Sequence, residues 1–264
     1  MELDDAYANA AYIPQAEEYP PRWAKQAEGY RQRMSLGGKA RLGVMYGHAT
    51  RETLDLFLPE GTPRGLFVFV HGGYWLKFDR SSWSHLAEGM RAAGYAVALP
   101  SYDLCPKVRI SDITRQVAQA VTVIAHDIDG PIYLAGHSAG GHLVARLAMA
   151  GVLAEDVHAR LAHVMPISPV ADLRPMMRTS MNADLKITEE EALRESPVLA
   201  DAPDVPVTVW VGGDERPAFI EQAEALGTAW GSPVVIDKGR HHFDVIDALA
   251  DPNSAMVQRL LQRG

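Results

Sequence analysis

One pentapeptide constrains this chain more than any other feature: Gly136-His137-Ser138-Ala139-Gly140. It follows the apolar run Pro131–Ala135 and opens the helix-like stretch Ala139–Ala150. A serine on so sharp a strand-to-helix turn is held in a strained backbone conformation. The positions two before and two after it must be small, and Gly136 and Gly140 meet that demand. Such a turn presents Ser138 Oγ at a sheet edge. It also sets the serine at a helix N-terminus, where backbone N–H groups favour developing negative charge.

The rest of the chain repeats the same alternation of short apolar runs and longer amphipathic stretches. Strands are predicted at about Arg41–Tyr46, Thr53–Leu58, Gly65–Val70, Ala96–Pro100, Ile132–Ala135, His163–Ile167, Val207–Val211 and Val234–Asp237. Helices are predicted near Ser82–Ala93, Ser111–Asp127, Ala139–Ala150, Pro217–Trp230, Phe243–Leu249 and Ser254–Gln262. Runs such as Leu66–Val70 are apolar throughout, the pattern of strands buried on both faces in a mostly parallel sheet. No helix separates the first two runs, so they are expected to form an antiparallel hairpin.

Two regions break the rhythm. Residues 1–38 are polar and aromatic, with Pro14, Pro20 and Pro21 interrupting helix. They are expected to be an arm packing on the catalytic domain, residues 39–264, with a short helix near Arg22–Met34. Residues 171–204 carry Met176, Met177, Met181 and the acidic run Glu189–Glu191, and exceed a plain connection. They are expected to form a helical, lid-like insertion over the sheet's carboxyl edge. The methionines suit either an irregular pocket wall or helix packing.

Composition excludes several function classes. With 25 Lys and Arg against 33 Asp and Glu, the net charge of −8 disfavours a nucleic-acid partner. A single cysteine, Cys105, excludes a disulfide framework and a multi-Cys metal site, and its place before Pro106 suits a small buried residue. No apolar run is long enough to span a bilayer, and the acidic start lacks the order of a signal peptide. The expectation is a cytoplasmic enzyme with no membrane partner, and a homodimer is compatible with it.

A serine hydroxyl needs a base, and on this strand–turn–helix arrangement the partners follow in the order serine, acid, histidine. Asp214 comes directly after the run Val207–Val211, with Glu215 as the alternative acid. Of ten histidines only His241 and His242 lie beyond it, in the loop after the last predicted strand. His242 is preferred as the base, with His241 as a neighbour beside the substrate pocket. A His-His pair could serve a metal, but no second ligand pair accompanies it. A tetrahedral intermediate further needs aimed N–H donors. Ala139, after the nucleophile, supplies one. Gly73 and Tyr74, in the loop His71-Gly72-Gly73-Tyr74-Trp75, supply the others, with His71 and Gly72 supporting the loop.

These motifs resemble a known group. His-Gly-Gly followed by Gly is the oxyanion signature of the hormone-sensitive-lipase-like esterases. The variant His71-Gly72-Gly73-Tyr74-Trp75 is similar to that of the kynurenine formamidase (arylformamidase) branch of the α/β-hydrolases. Tyr102-Asp103-Leu104-Cys105-Pro106, Gly136–His142 and His242-Phe243-Asp244 resemble the same branch. The resemblance runs from about Arg41 to the end. It implies an α/β-hydrolase fold: a mostly parallel eight-stranded sheet flanked by helices, with a small helical lid. It also implies a serine hydrolase that needs no cofactor and acts on a small acyl amide or ester, such as N-formyl-kynurenine in tryptophan catabolism. Short-acyl carboxylesterase activity is the near alternative, and a non-catalytic binding protein the distant one. Formyl is the smallest acyl group, so the site can be tight. Tyr74 and Trp75 would narrow it and offer a face to an aryl leaving group. A substrate carboxylate would want a cation, for which Arg216, Arg240 and Lys77 are the nearby choices.

Overall fold

The computed structural model describes residues 1–262; residues 263 and 264, the end of the expected catalytic unit, lie outside the described residues. Eight strands form one sheet: β1 (Ala40–Met45), β2 (Thr53–Phe57), β3 (Leu66–Val70), β4 (Ala96–Pro100), β5 (Ile132–His137), β6 (Leu161–Ile167), β7 (Val209–Gly212) and β8 (Val234–Asp237). Their spatial order is β1-β2-β4-β3-β5-β6-β7-β8. β1 pairs with β2, and β2 with β4, antiparallel; the remaining neighbours run parallel. The helices are α1 (Tyr19–Leu36), α2 (Glu88–Ala92), α3 (Ile110–Asp127), α4 (Ala139–Ala148), α5 (Glu155–His158), α6 (Asn182–Leu185), α7 (Glu189–Glu195), α8 (Pro217–Trp230) and α9 (Ala255–Leu261).

The unbroken apolar strands are explained by two cores, one on each face of the sheet. Along β3, Leu66, Val68 and Val70 point into the core that also holds Val117 of α3, Leu143 of α4 and Phe219 of α8. Phe67 and Phe69 point the other way, into the core shared with Trp23 and Tyr30 of α1 and Leu260 of α9. Successive residues alternate faces, so both sets must be apolar. Pro20 and Pro21, expected to interrupt helix, instead begin α1. A first-turn proline loses no helical hydrogen bond, because that N–H has no partner there.

Register sets the site. Val70 pairs with Gly136, His137 with Ile167, and Gly212 with Asp237. The carboxyl ends of β3, β5, β6, β7 and β8 therefore finish level, and the loops after them share one edge of the sheet. Open parallel sheets bind ligands at that edge.

The insertion is pinned to α3 and α4 by two buried glutamates one helical turn apart in α7. Glu191 accepts from Arg109 Nε (3.0 Å) and Ser111 Oγ (3.0 Å). Glu195 accepts from Arg146 Nε (3.1 Å) and Thr114 Oγ1 (3.0 Å). Met176 is fully buried in the core, while Met177 and Met181 pack against it part-buried. The N-terminal arm crosses from the insertion to the loop after β3. Asp4 accepts from Ser180 N–H (2.6 Å), Asp5 from Arg216 (2.7 Å), and the Tyr7 carbonyl from the Tyr74 hydroxyl (2.6 Å).

Candidate active site

Ser138 stands between β5 and α4 with φ 58° and ψ −116°, a conformation that costs an L-residue free energy and persists only where its surroundings enforce it. The surroundings here are backbone. A Cβ on Gly136 would lie 2.1 Å from the Gly140 carbonyl oxygen, and one on Gly140 would lie 2.0 Å from that of Val70. Ser138 N–H donates to the Ile167 carbonyl at 2.9 Å, tying the turn to β6.

The loop after β3 approaches the turn from the side. A Cβ on Gly72 would meet the His137 carbonyl at 2.7 Å and Ser138 Cβ at 3.0 Å, so this passage requires glycine. Gly73 (φ 111°), Tyr74 (φ 53°) and Trp75 (φ 58°) follow in left-handed conformation. Among the described residues, the amides of Gly73, Tyr74 and Ala139 donate to no protein acceptor. Free N–H groups next to a nucleophile are what an oxyanion requires. His71 stacks on Tyr102, ring centroids 4.4 Å apart, and the Tyr102 hydroxyl donates to the His71 carbonyl at 2.8 Å. Complete burial pushes the His71 imidazole down to about 4, so it is neutral and braces the loop.

The histidine loop and the acid loop meet beside the turn. His242 Nδ1 lies 2.6 Å from Glu215 Oε2, and both side chains are almost entirely buried. The carboxylate that meets His242 differs from the sequence preference. Asp214 is exposed, its N–H bonded to the Arg240 carbonyl (2.9 Å), whereas Glu215 turns inward. One residue along the turn after β7 reverses the direction of the side chain, and the longer glutamate spans the gap. Phe219 and His137 flank the His242 ring at centroid distances of 4.3 and 4.6 Å. Burial, and His242 beside it, keep the His137 imidazole well below the ordinary histidine range.

The other expected pocket residues take different places. Trp75 is fully buried, edge-on to His142 at 5.2 Å, and belongs to the core rather than to an open wall. His241 turns away to Tyr19 of α1, with Nε2 2.8 Å from the hydroxyl, and to Asp244 at 3.3 Å. Arg216 is engaged by Asp5, and Arg240 reaches Asp244 at 3.5 Å. Lys77 is exposed. Among the described residues no group of three His, Cys, Asp or Glu side chains could hold a metal.

Three contributors carry no local sequence signal: Ser168, which donates to Glu215 at 2.5 Å, and Tyr7 and Asn9, which hold the Tyr74 hydroxyl. Only the loop position of Ser168, directly after β6, could have flagged it. Ser138 itself has 2% of its surface exposed, with the loop after β3 passing directly against it.

Comparison with known proteins agrees with this fold. The family described as alpha/beta hydrolase fold matches residues 67–212. Kynurenine formamidase of Danio rerio is 32% identical over 84% of this chain and 80% of its own. That of Drosophila melanogaster is 30% identical over 83% and 79%. A solved structure from Silicibacter sp. tm1040, provisionally described as a thioesterase, is 59% identical. It superposes with a TM-score of 0.97 over 99% of this chain and 100% of that one.

Proposed function

This chain belongs to the α/β-hydrolase fold family and is a hydrolase; on that premise we propose that it cleaves aryl formamides, with N-formyl-kynurenine as the favoured substrate. The observation that carries the proposal is the assembly of Ser138, the His242–Glu215 pair and three unengaged amides around a nucleophile that is 2% exposed. A site so closed suits the smallest acyl group. The formamidase relatives, each matched over about four-fifths of its length, point to the same substrate.

In this reading Ser138 Oγ attacks the formyl carbon while His242 Nε2 takes its proton. The Gly73, Tyr74 and Ala139 amides hold the oxyanion. Glu215 keeps the imidazole in the tautomer with its proton on Nδ1 and stabilises the imidazolium. His242 returns the proton to the leaving aryl amine. Water, activated by the same histidine, then releases formate and restores Ser138. No metal or organic cofactor enters.

A second reading, cleavage of short-acyl esters or thioesters, is favoured by the 59% identity to the provisionally described thioesterase. One experiment separates them: kcat/KM on N-formyl-kynurenine, p-nitrophenyl acetate and an acetyl thioester with the same preparation. Formamide hydrolysis within about 100-fold of the best ester or exceeding it is expected; a larger preference for ester or thioester overturns the formamidase reading. A serine-directed fluorophosphonate should label the chain and not its Ser138→Ala variant. Failure to label would favour a binding protein instead. A cytoplasmic location belongs to the same proposal. Among the described residues no helix is long and apolar enough to cross a membrane.

A further inference from the structure

The geometry points to Ser168 as a positioning residue for the acid, a third member of the hydrogen-bonded chain that includes Glu215 and His242; the inference rests on the catalytic reading above. Ser168 directly follows β6, is fully buried, and stands at φ 46°. Left-handed backbone costs a serine free energy that glycine would escape, so something must favour a side chain there. Its hydroxyl supplies the reason. Oγ donates to Glu215 Oε1 at 2.5 Å, and Gly212 N–H donates to the same oxygen at 2.8 Å. With Oε1 held twice, Oε2 is left for His242 Nδ1 at 2.6 Å.

The need follows from the identity of the acid. A glutamate has one more rotatable bond than an aspartate, and an unheld carboxylate could swing its oxygens away from the imidazole. Two donors on the far oxygen remove that freedom. The same segment also touches the nucleophile, because the Ile167 carbonyl accepts from Ser138 N–H while the Ser168 amide bonds Trp210 at 2.7 Å. Two consecutive residues at the end of β6 thus fix the nucleophile's backbone and the acid's side chain relative to one another. A hydroxyl present only to satisfy packing would have no reason to point at this carboxylate from a strained backbone.

The test is a double-mutant cycle read on whichever of the three substrates the wild-type enzyme turns over. Ser168→Ala should lower kcat about 10-fold, the order expected for one hydrogen bond to a charged group, with KM changed less than 2-fold. Ser168→Gly relieves the backbone strain and also lacks the hydroxyl. It should fold at least as well as Ser168→Ala by thermal melting and show the same loss. In the Glu215→Gln background, adding Ser168→Ala should cost less than 2-fold. The inference is overturned if Ser168→Gly retains wild-type kcat, if KM and kcat worsen together, or if the two substitutions are additive. Fluorophosphonate labelling of the wild type distinguishes these outcomes from failure of the catalytic reading, since an unlabelled wild type sinks that reading first.

Discussion

The loops that carry Ser138 and Glu215 lie on one sheet edge but are held by different forces. The serine turn is held by exclusion. Its backbone passes so close to Val70 and Gly140 carbonyls that a single methyl group at Gly136 or Gly140 has no room. The acid loop has its own tight point, Gly212, where a Cβ would meet the Arg240 carbonyl at 2.3 Å. The carboxylate itself, however, is held by three aimed hydrogen-bond partners: Ser168, Gly212 and His242. Excluded volume fixes a backbone whatever the charge, whereas hydrogen bonds fix a side chain only while its chemistry is kept. The first loop should therefore fail on added volume and the second on altered charge.

The largest effect expected from that contrast is at Glu215. Glu215→Gln keeps the volume and removes the charge, and an amide facing His242 Nδ1 favours the wrong tautomer. A loss of about 10³- to 10⁴-fold in kcat is expected, by analogy with serine-protease triads. The melting temperature should stay within about 4 °C of wild type. Steady-state kinetics beside thermal melting decide it. A loss of less than about 10-fold would remove Glu215 from the acid's role.

The same contrast explains how much was legible in the sequence. The turn at Ser138 could be read from five residues because its determinants, two glycines beside the serine, are local. Central strands such as β3 and β4 were legible as apolar runs for a similar reason, since burial on both faces leaves no polar position. The choice between the two carboxylates, of which Glu215 stood only as the alternative, was not, because Asp214 and Glu215 both follow β7. Which of them turns inward is set by tertiary neighbours, among them the Arg240 carbonyl that receives the Asp214 amide. Trp75 was misplaced for the same cause: its loop position suggested a pocket wall, but left-handed backbone from Gly73 to Trp75 drives the ring into the core against His142. The arm's contacts with Tyr74 and His241 span more than 60 residues of sequence and leave no local pattern.

The next effect belongs to the serine turn. Gly140→Ala adds a methyl group against the Val70 carbonyl, a backbone atom that cannot swing away. Overpacking of this kind is expected to cost about 3 kcal/mol or more, because either the turn or β3 must move. Chemical denaturation measures it, with loss of fluorophosphonate labelling as the companion signal. An alanine variant as stable and as reactive as wild type would mean that the turn is not held by exclusion.

Acid should act more gradually, and on the serine side. Burial holds His71 and His142 down to about 4, and His142 Nε2 is engaged by the Glu195 carbonyl at 2.7 Å. Both stay neutral in the fold, whereas in the unfolded chain each takes up a proton near its ordinary value of about 6.5. The unfolded state therefore binds more protons between roughly pH 6.5 and 4, and stability falls as pH drops through that window. Each histidine contributes up to about 1.4 kcal/mol per pH unit. Urea midpoints from pH 7.5 to 5 should show this slope, and His142→Gln, which keeps a donor within reach of Glu195, should flatten it by about one proton. An unchanged slope in that variant would place the acid sensitivity elsewhere.

The smallest effects sharpen the comparison most, because they should be close to nothing. Asp214→Asn alters an exposed carboxylate that faces away from His242, so kcat/KM is expected to stay within about 2-fold of wild type, in line with surface substitutions generally. Gly213→Ala adds a methyl group in the same loop. There its nearest neighbours would be Lys238 Cα at 3.2 Å and Asp237 O and Ile236 Cγ2 at 3.4 Å, with no left-handed φ to forbid it. A shift of a few tenths of an ångström accommodates that contact, so the stability change should stay under about 1 kcal/mol. The pair tests both halves of the argument at adjacent positions. If Asp214→Asn is as damaging as Glu215→Gln, the carboxylate bonded to His242 does not decide activity alone. If Gly213→Ala is as damaging as Gly140→Ala, the acid loop is held by exclusion too, and the difference between the two loops disappears.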